Sequence, residues 1–126
     1  VNVDQPLFRR SLGPSATATA PVGYVRLHGR NHDDWFRADA TVEERYDYLY
    51  TADELRPWAE RARRVADAAE ETYVVTNNHY TGKAVANAVM LEAMLGDPAP
   101  RVPAGVLARW GDVIAGAWRR DGAGPA

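Results

Sequence analysis

GYVRLHGRN, Gly23 to Asn31, decides the fold. In an extended strand Val25 and Leu27 point to one side and Tyr24, Arg26 and His28 to the other. One face asks for hydrocarbon, while the other carries ionisable groups along its length. A sheet with an ordinary dry core has no use for that second face. A barrel strand does, because its apolar residues meet a ring of helices and its polar row faces a lumen that opens into a site. TYVVTNNHYTGKA, Thr72 to Ala84, repeats the design: an apolar strand, then Asn-Asn-His, then a helix start. All three histidines, His28, His32 and His79, lie in or just after these two strands.

Working outward, VNVD alternates, with Val1 and Val3 on one side and Asn2 and Asp4 on the other. Gln5-Pro6 ends that strand, because proline cannot donate to a ladder. Leu7 to Pro21 has no periodicity and reads as a connecting loop. Asn31 to Tyr50 reads as a second long connection without clear helix, rich in aromatics (Trp35, Phe36, Tyr46, Tyr48, Tyr50), with RYDYLY as a short extended piece. Thr51-Ala-Asp-Glu54 fits a capping box, and Leu55, Trp58, Ala62, Val65 and Ala69 follow at spacings of three and four. The third strand spans 72–77. A helix over about 82–95 should bury Ala84, Ala88, Leu91 and Leu95 and stop at Gly96, with Pro98 beyond. A last helix from about Pro103 carries the stripe Leu107, Trp110, Ile114 and Trp118.

The strand–helix–strand unit implies parallel strands and a right-handed crossover. Parallel strands need both faces covered, and three strands leave open edges. The fold expectation is therefore α/β, the C-terminal part (about the last three strands) of a truncated TIM-barrel-like parallel (β/α) barrel. Residue 1 is Val rather than Met and VNVD already resembles mid-strand, so the chain is expected to begin partway into a larger domain. Residues 1–100 would form the barrel part, 101–120 a closing helix and 121–126 a disordered tail. The partner expected to cover the open edges is the N-terminal half of the barrel or a second copy.

Composition limits the function. The 126 residues are 46% hydrophobic and 25% charged, ordinary values for one globular domain. A net charge of −2 argues against a generally basic nucleic-acid binder. Without cysteine there is no disulfide, thiolate nucleophile or zinc–thiolate site. No signal peptide and no membrane-spanning apolar run is visible, so a cytoplasmic protein without membrane contact is expected. Lys83 is the only lysine among many arginines, a pattern that coding bias explains.

In parallel α/β folds ligands bind at the C-terminal strand ends. Asp4, His28, Arg30, Asn31, Asn77, Asn78 and His79 occupy those ends here. Each has a bland reading: Asp4 as a turn cap, His28 as a core histidine, Asn77 and Asn78 as turn formers. Together they suggest a site. His28 or His79 would move a proton, with Asp4 as orienter or base. Arg26 and Arg30 would hold an anion in a bidentate fork. Gly82-Lys83, opening a helix, offers a second anion position. No cofactor is expected. His28, His32, Asp33, Asp34 and His79 hold enough ligands for a divalent metal, but their spacing fits no defined motif.

GYVRLHGRN, RYDYLYTADEL and NNHYTGKAVANA, in this order, resemble the C-terminal part of the YecE-like family, domain of unknown function 72, from about Val1 to Leu95. The resemblance implies a TIM-barrel-like fold about twice this length, with GYVRLHGRN on the penultimate strand and TYVVTNNH on the last. It implies no settled activity. Asp4, Arg26, His28, Arg30, Arg45, Tyr46, Tyr48, Asn77, Asn78, Gly82, Ala84 and Asn87 match its motif positions. Three functions follow as expectations. One is an enzyme for a small phosphate- or carboxylate-bearing substrate, with His28, Asp4 and His79 catalytic and Arg26, Arg30, Asn31, Arg45, Tyr46, Tyr48, Asn77, Asn78, Gly82 and Lys83 binding. The others are a nucleic-acid-binding or processing barrel, and an inactive fragment.

Overall fold

The structure, a computed structural model, describes residues 1–7, 13–78, 80–97 and 100–120. Three strands, β1 (Asn2–Asp4), β2 (Val22–Leu27) and β3 (Glu71–Thr76), form one parallel sheet in the order β1-β2-β3. Val25 stands beside Asn2 and Val74, and Arg26 beside Val3 and Val75. Two single-turn helices follow β2, α1 (His32–Trp35) and α2 (Val42–Arg45). Three longer helices are α3 (Ala52–Ala68), α4 (Lys83–Met94) and α5 (Ala104–Arg120). The fold is α/β with a parallel sheet. Among the described residues no helix is long and apolar enough to cross a membrane.

The alternation in β2 does what its residues demand. Gly23, Val25 and Leu27 are buried, while Tyr24, Arg26 and His28 are half-buried. Val25 and Leu27 share a core with Leu55, Trp58 and Val65 of α3, and with Ala86, Val89 and Met90 of α4. Gly23 is required for that packing: a Cβ there would lie 2.4 Å from Val65 Cγ1. Thr51 caps α3 in a full capping box with Glu54. α4 ends in a Schellman arrangement. The Asp97 N–H donates to the Glu92 carbonyl and the Gly96 N–H to Ala93, with Gly96 at φ +107.

Four expectations change. Asn31 to Tyr50 is not helix-free: Asn31 caps α1, and Thr41 with Glu44 builds a second capping box on α2. RYDYLY is not one extended piece, since Arg45 ends α2 and Tyr46 is its C-cap. The buried stripe of α4 is Ala86, Asn87, Val89, Met90, Leu91 and Met94, while Leu95 is exposed and Ala84 and Ala88 are only half-buried. On α5, Ile114 is buried and Val106, Trp110 and Val113 pack against the core, but Leu107 is exposed. The Trp118 side chain, Pro98 and the tail 121–126 lie outside the described residues.

The polar side of β1 faces inward. Asn2 and Asp4 are buried, and Val3 is not. Asn2 anchors the connection to β2, none of whose described residues is helical. Its amide donates to the Thr17 and Tyr24 carbonyls, and its oxygen accepts from Ser15 Oγ and the Thr17 N–H. The opposite sheet face, carrying Val3, Tyr24, Arg26, Tyr73 and Val75, stays partly open, with Tyr73 48% exposed. A parallel sheet is ordinarily covered on both faces.

Candidate functional site

The parallel register builds the site at the C-terminal end of the sheet. The His28 N–H donates to the Asp4 carbonyl at 2.9 Å, and the Asn77 N–H to the Leu27 carbonyl at 2.7 Å. These bonds carry the ladder one residue past each strand, so His28 and Asn77 stand side by side. The Asn77 amide nitrogen lies 3.1 Å from His28 Nδ1. Trp35 and Tyr46 flank the imidazole, with ring centroids 6.2 and 5.8 Å from it, and meet each other edge-on at 5.4 Å. Burial lowers the His28 pKa below its ordinary value, and the nearby Arg26 charge adds to this; Asp4 opposes it. The ring is thus neutral near pH 7. Arg26 lies two residues earlier on the same face. Its Nε is buried without a hydrogen-bond partner, and among the described residues no carboxylate pairs with it.

Asp4 and Arg30 belong to a different cluster. Arg30 grips Asp4 in a bidentate fork, Nε to Oδ2 at 2.9 Å and Nη2 to Oδ1 at 3.0 Å. Arg30 Nη1 donates to Glu54 at 3.2 Å. The Tyr50 hydroxyl donates to Asp4 at 2.6 Å and accepts from the Gly29 N–H at 2.8 Å. The Tyr48 hydroxyl donates to Glu54 at 2.6 Å. The hydrogen bond to Asp4 raises the Arg30 pKa, outweighing partial burial. Burial, reinforced by the neighbouring carboxylates, raises both tyrosines far above their ordinary value. Both Asp4 oxygens are taken by this cluster, so Asp4 does not orient His28. Arg30 faces two carboxylates and works as a tie between β1, β2 and α3.

The remaining expected residues divide by role. Asn31 binds the Glu44 carbonyl at 2.8 Å and ties α1 to α2. Asn78 is fully buried and donates to the Tyr48 carbonyl at 2.6 Å and to Asn87 Oδ1 at 2.8 Å; its own oxygen has no partner. Asn87 in turn holds both backbone groups of Tyr50. Lys83 is ion-paired with Asp47 and lies 5.9 Å from the Trp110 ring centroid. Gly82 caps α4 at φ +80, after Thr81 at φ +52, and Trp110 Nε1 donates to the Thr81 carbonyl at 3.0 Å. Arg45 donates to the Arg37 carbonyl at 3.1 Å, while its Nε is buried without a partner. His79 lies outside the described residues.

Among the described residues no three His, Asp or Glu side chains converge as metal ligands. His32 and Asp33 are exposed on α1, and Asp34 pairs with Arg37 at 2.7 Å. The structure therefore brings Arg26, His28, Asn77 and Tyr46 together and sets Asp4, Arg30 and Tyr48 apart in their own network. Trp35, Tyr50 and Glu54 take part without having been expected at the site. The sequence signal for Tyr50 and Glu54 was the Tyr46-Tyr48-Tyr50 alternation running straight into a capping box. Trp35 had no signal beyond its place in an aromatic loop.

The chain has relatives. A family model described as "Protein of unknown function DUF72" matches residues 1–108. The UPF0759 protein YunF of Bacillus subtilis is 31% identical over 74 residues, 56% of this chain and 26% of that protein. A solved DUF72 family protein from Thermotoga maritima superimposes with a TM-score of 0.68 at 38% identity, covering 75% of this chain and 35% of that one. A second, from Enterococcus faecalis, gives 0.68 at 27% identity over 80% and 39%. The matched part of this chain thus spans between about a quarter and two fifths of the length of these relatives.

Proposed function

Since the chain belongs to the DUF72 family of unknown function, we propose that it supplies about the last three strands of a TIM-barrel-like barrel whose strand ends bind a small anionic ligand. In this reading residues 1–100 form the barrel part, 101–120 close it, and further polypeptide covers the Tyr24-Arg26-His28 face. The ligand carries a phosphate or carboxylate group. Arg26 is its charge partner and His28, neutral near pH 7, the group that exchanges a proton with it.

One observation carries this reading: Arg26 shares a sheet face with His28, whose pKa burial lowers, and among the described residues no carboxylate pairs with Arg26. The anion position moves accordingly. Arg30 and Lys83 are already matched by Asp4, Glu54 and Asp47, whereas among the described residues no acid answers the charge of Arg26. A nucleic-acid surface has less support, because Arg30, Arg37, Arg63 and Lys83 are all engaged by acids of the chain.

Calorimetric titration with inorganic phosphate and with acetate tests the proposal. Binding should be saturable for at least one of them and weaken about tenfold or more in Arg26→Met, equivalent to about 1.4 kcal/mol. No binding, or equal binding by the variant, removes the reading.

A further inference from the structure

We propose that Asn77 is a positioning residue that holds His28 as its Nε2–H tautomer, so that the ring presents a proton donor to the ligand oxygen. Its ligand half rests on the anion-site reading above; its tautomer half does not.

The register produces this contact. β2 and β3 run parallel with Leu27 beside Thr76, and the next residue of each strand is His28 and Asn77. The Asn77 backbone is fixed by its N–H bond to Leu27 O at 2.7 Å. Its side-chain amide nitrogen faces His28 Nδ1 at 3.1 Å. An amide nitrogen only donates. A nitrogen that accepts is the unprotonated one, so in the neutral ring the proton sits on Nε2. Trp35 and Tyr46 fix the plane of the ring from α1 and from the end of α2. Arg26 faces it from within β2, and Asp4 acts on it across the sheet while bonded to Arg30 and Tyr50.

The ligand chemistry narrows as a result. Among the described residues, the Nε2–H of His28 and the guanidinium of Arg26 then stand on one face, and both donate. They suit a group that only accepts: a carboxylate, a phosphoryl oxygen or a carbonyl. His28 would meet such an oxygen as a hydrogen-bond donor through its Nε2–H.

Long-range proton–nitrogen NMR of the uniformly nitrogen-15-labelled chain reads the tautomer directly, with His28→Gln assigning the signals. The wild type should show His28 as Nε2–H with Nδ1 as the accepting nitrogen. Asn77→Asp puts an acceptor opposite Nδ1 and should invert the pattern; Asn77→Ala should leave two exchanging forms. An Nδ1–H ring in the wild type, or an unchanged tautomer in a folded Asn77→Asp protein, overturns the inference. If Asn77→Asp fails to fold, the wild-type spectrum alone decides. Adding inorganic phosphate to the same sample separates the two readings. An Nε2–H ring that phosphate does not perturb leaves the tautomer standing and removes the anion site. A perturbed Nδ1–H ring does the reverse.

Discussion

The Tyr50 hydroxyl donates to Asp4 Oδ2 at 2.6 Å, joining a fully buried tyrosine to a carboxylate forty-six residues earlier in the chain. The same hydroxyl accepts from the Gly29 N–H, so it satisfies the turn that follows β2. Tyr50→Phe leaves that N–H without a partner in a dry environment. It should cost about 1–3 kcal/mol, the penalty for an unmade buried hydrogen bond. Urea unfolding of the two proteins measures it, and a loss below the error of the fit would show that the bond is not made.

Stability at alkaline pH follows from the same cluster. Burial and the Asp4 and Glu54 carboxylates raise the pKa of Tyr50 and Tyr48 in the folded chain. The folded state then binds more protons than the unfolded state above the ordinary tyrosine value of about 10. Their contribution is fully present below that value and is lost as pH rises beyond it. The urea midpoint should fall between about pH 9 and pH 11, and the fall should shrink in Tyr48→Phe/Tyr50→Phe.

Gly23 sits where α3 approaches β2 most closely. An alanine Cβ there would lie 2.4 Å from Val65 Cγ1 and 2.9 Å from Thr72 Oγ1. Gly23→Ala should cost about 1–3 kcal/mol by overpacking. Adding Val65→Ala should recover part of the loss, a coupling that a double-mutant cycle by thermal melting can read.

His28 should behave in the opposite sense at acid pH. Its folded pKa is lowered, mainly by burial and then by Arg26. The unfolded chain therefore binds more protons below about pH 6.5, and the stability that the neutral ring contributes is lost as pH falls from there. Arg26→Met removes one of the two lowering causes. Proton NMR of the His28 ring should show its titration moving upward toward the ordinary histidine value in that variant.

Local patterns were legible where partners are close in sequence. The period-two pattern of Gly23 to Leu27 placed β2 and both its faces, and the Thr51/Glu54 box and Gly96 marked the helix ends that the structure shows. The Thr41/Glu44 box is equally local, but the aromatics that dominate that loop obscure it. The buried face of α4 is not legible, because KAVANAVMLEAM is apolar nearly all round and spacing alone cannot choose a side. Burial of Asn2, Asp4 and Asn87 was not legible, because their partners Thr17, Arg30 and Tyr50 are distant in sequence. The same distance hid the fact that Arg30 and Lys83 are matched by carboxylates of the chain itself. At the candidate site, the residue types were readable and the pairings were not.

Crystals grown with selenate, a tetrahedral oxyanion with an anomalous signal, test the site most directly. An anomalous peak should appear at the open end of the sheet, with oxygens about 2.7–3.2 Å from the Arg26 guanidinium and His28 Nε2. A peak only beside Lys83 at the start of α4, or no peak at the strand ends, would contradict an anion site built on Arg26 and His28.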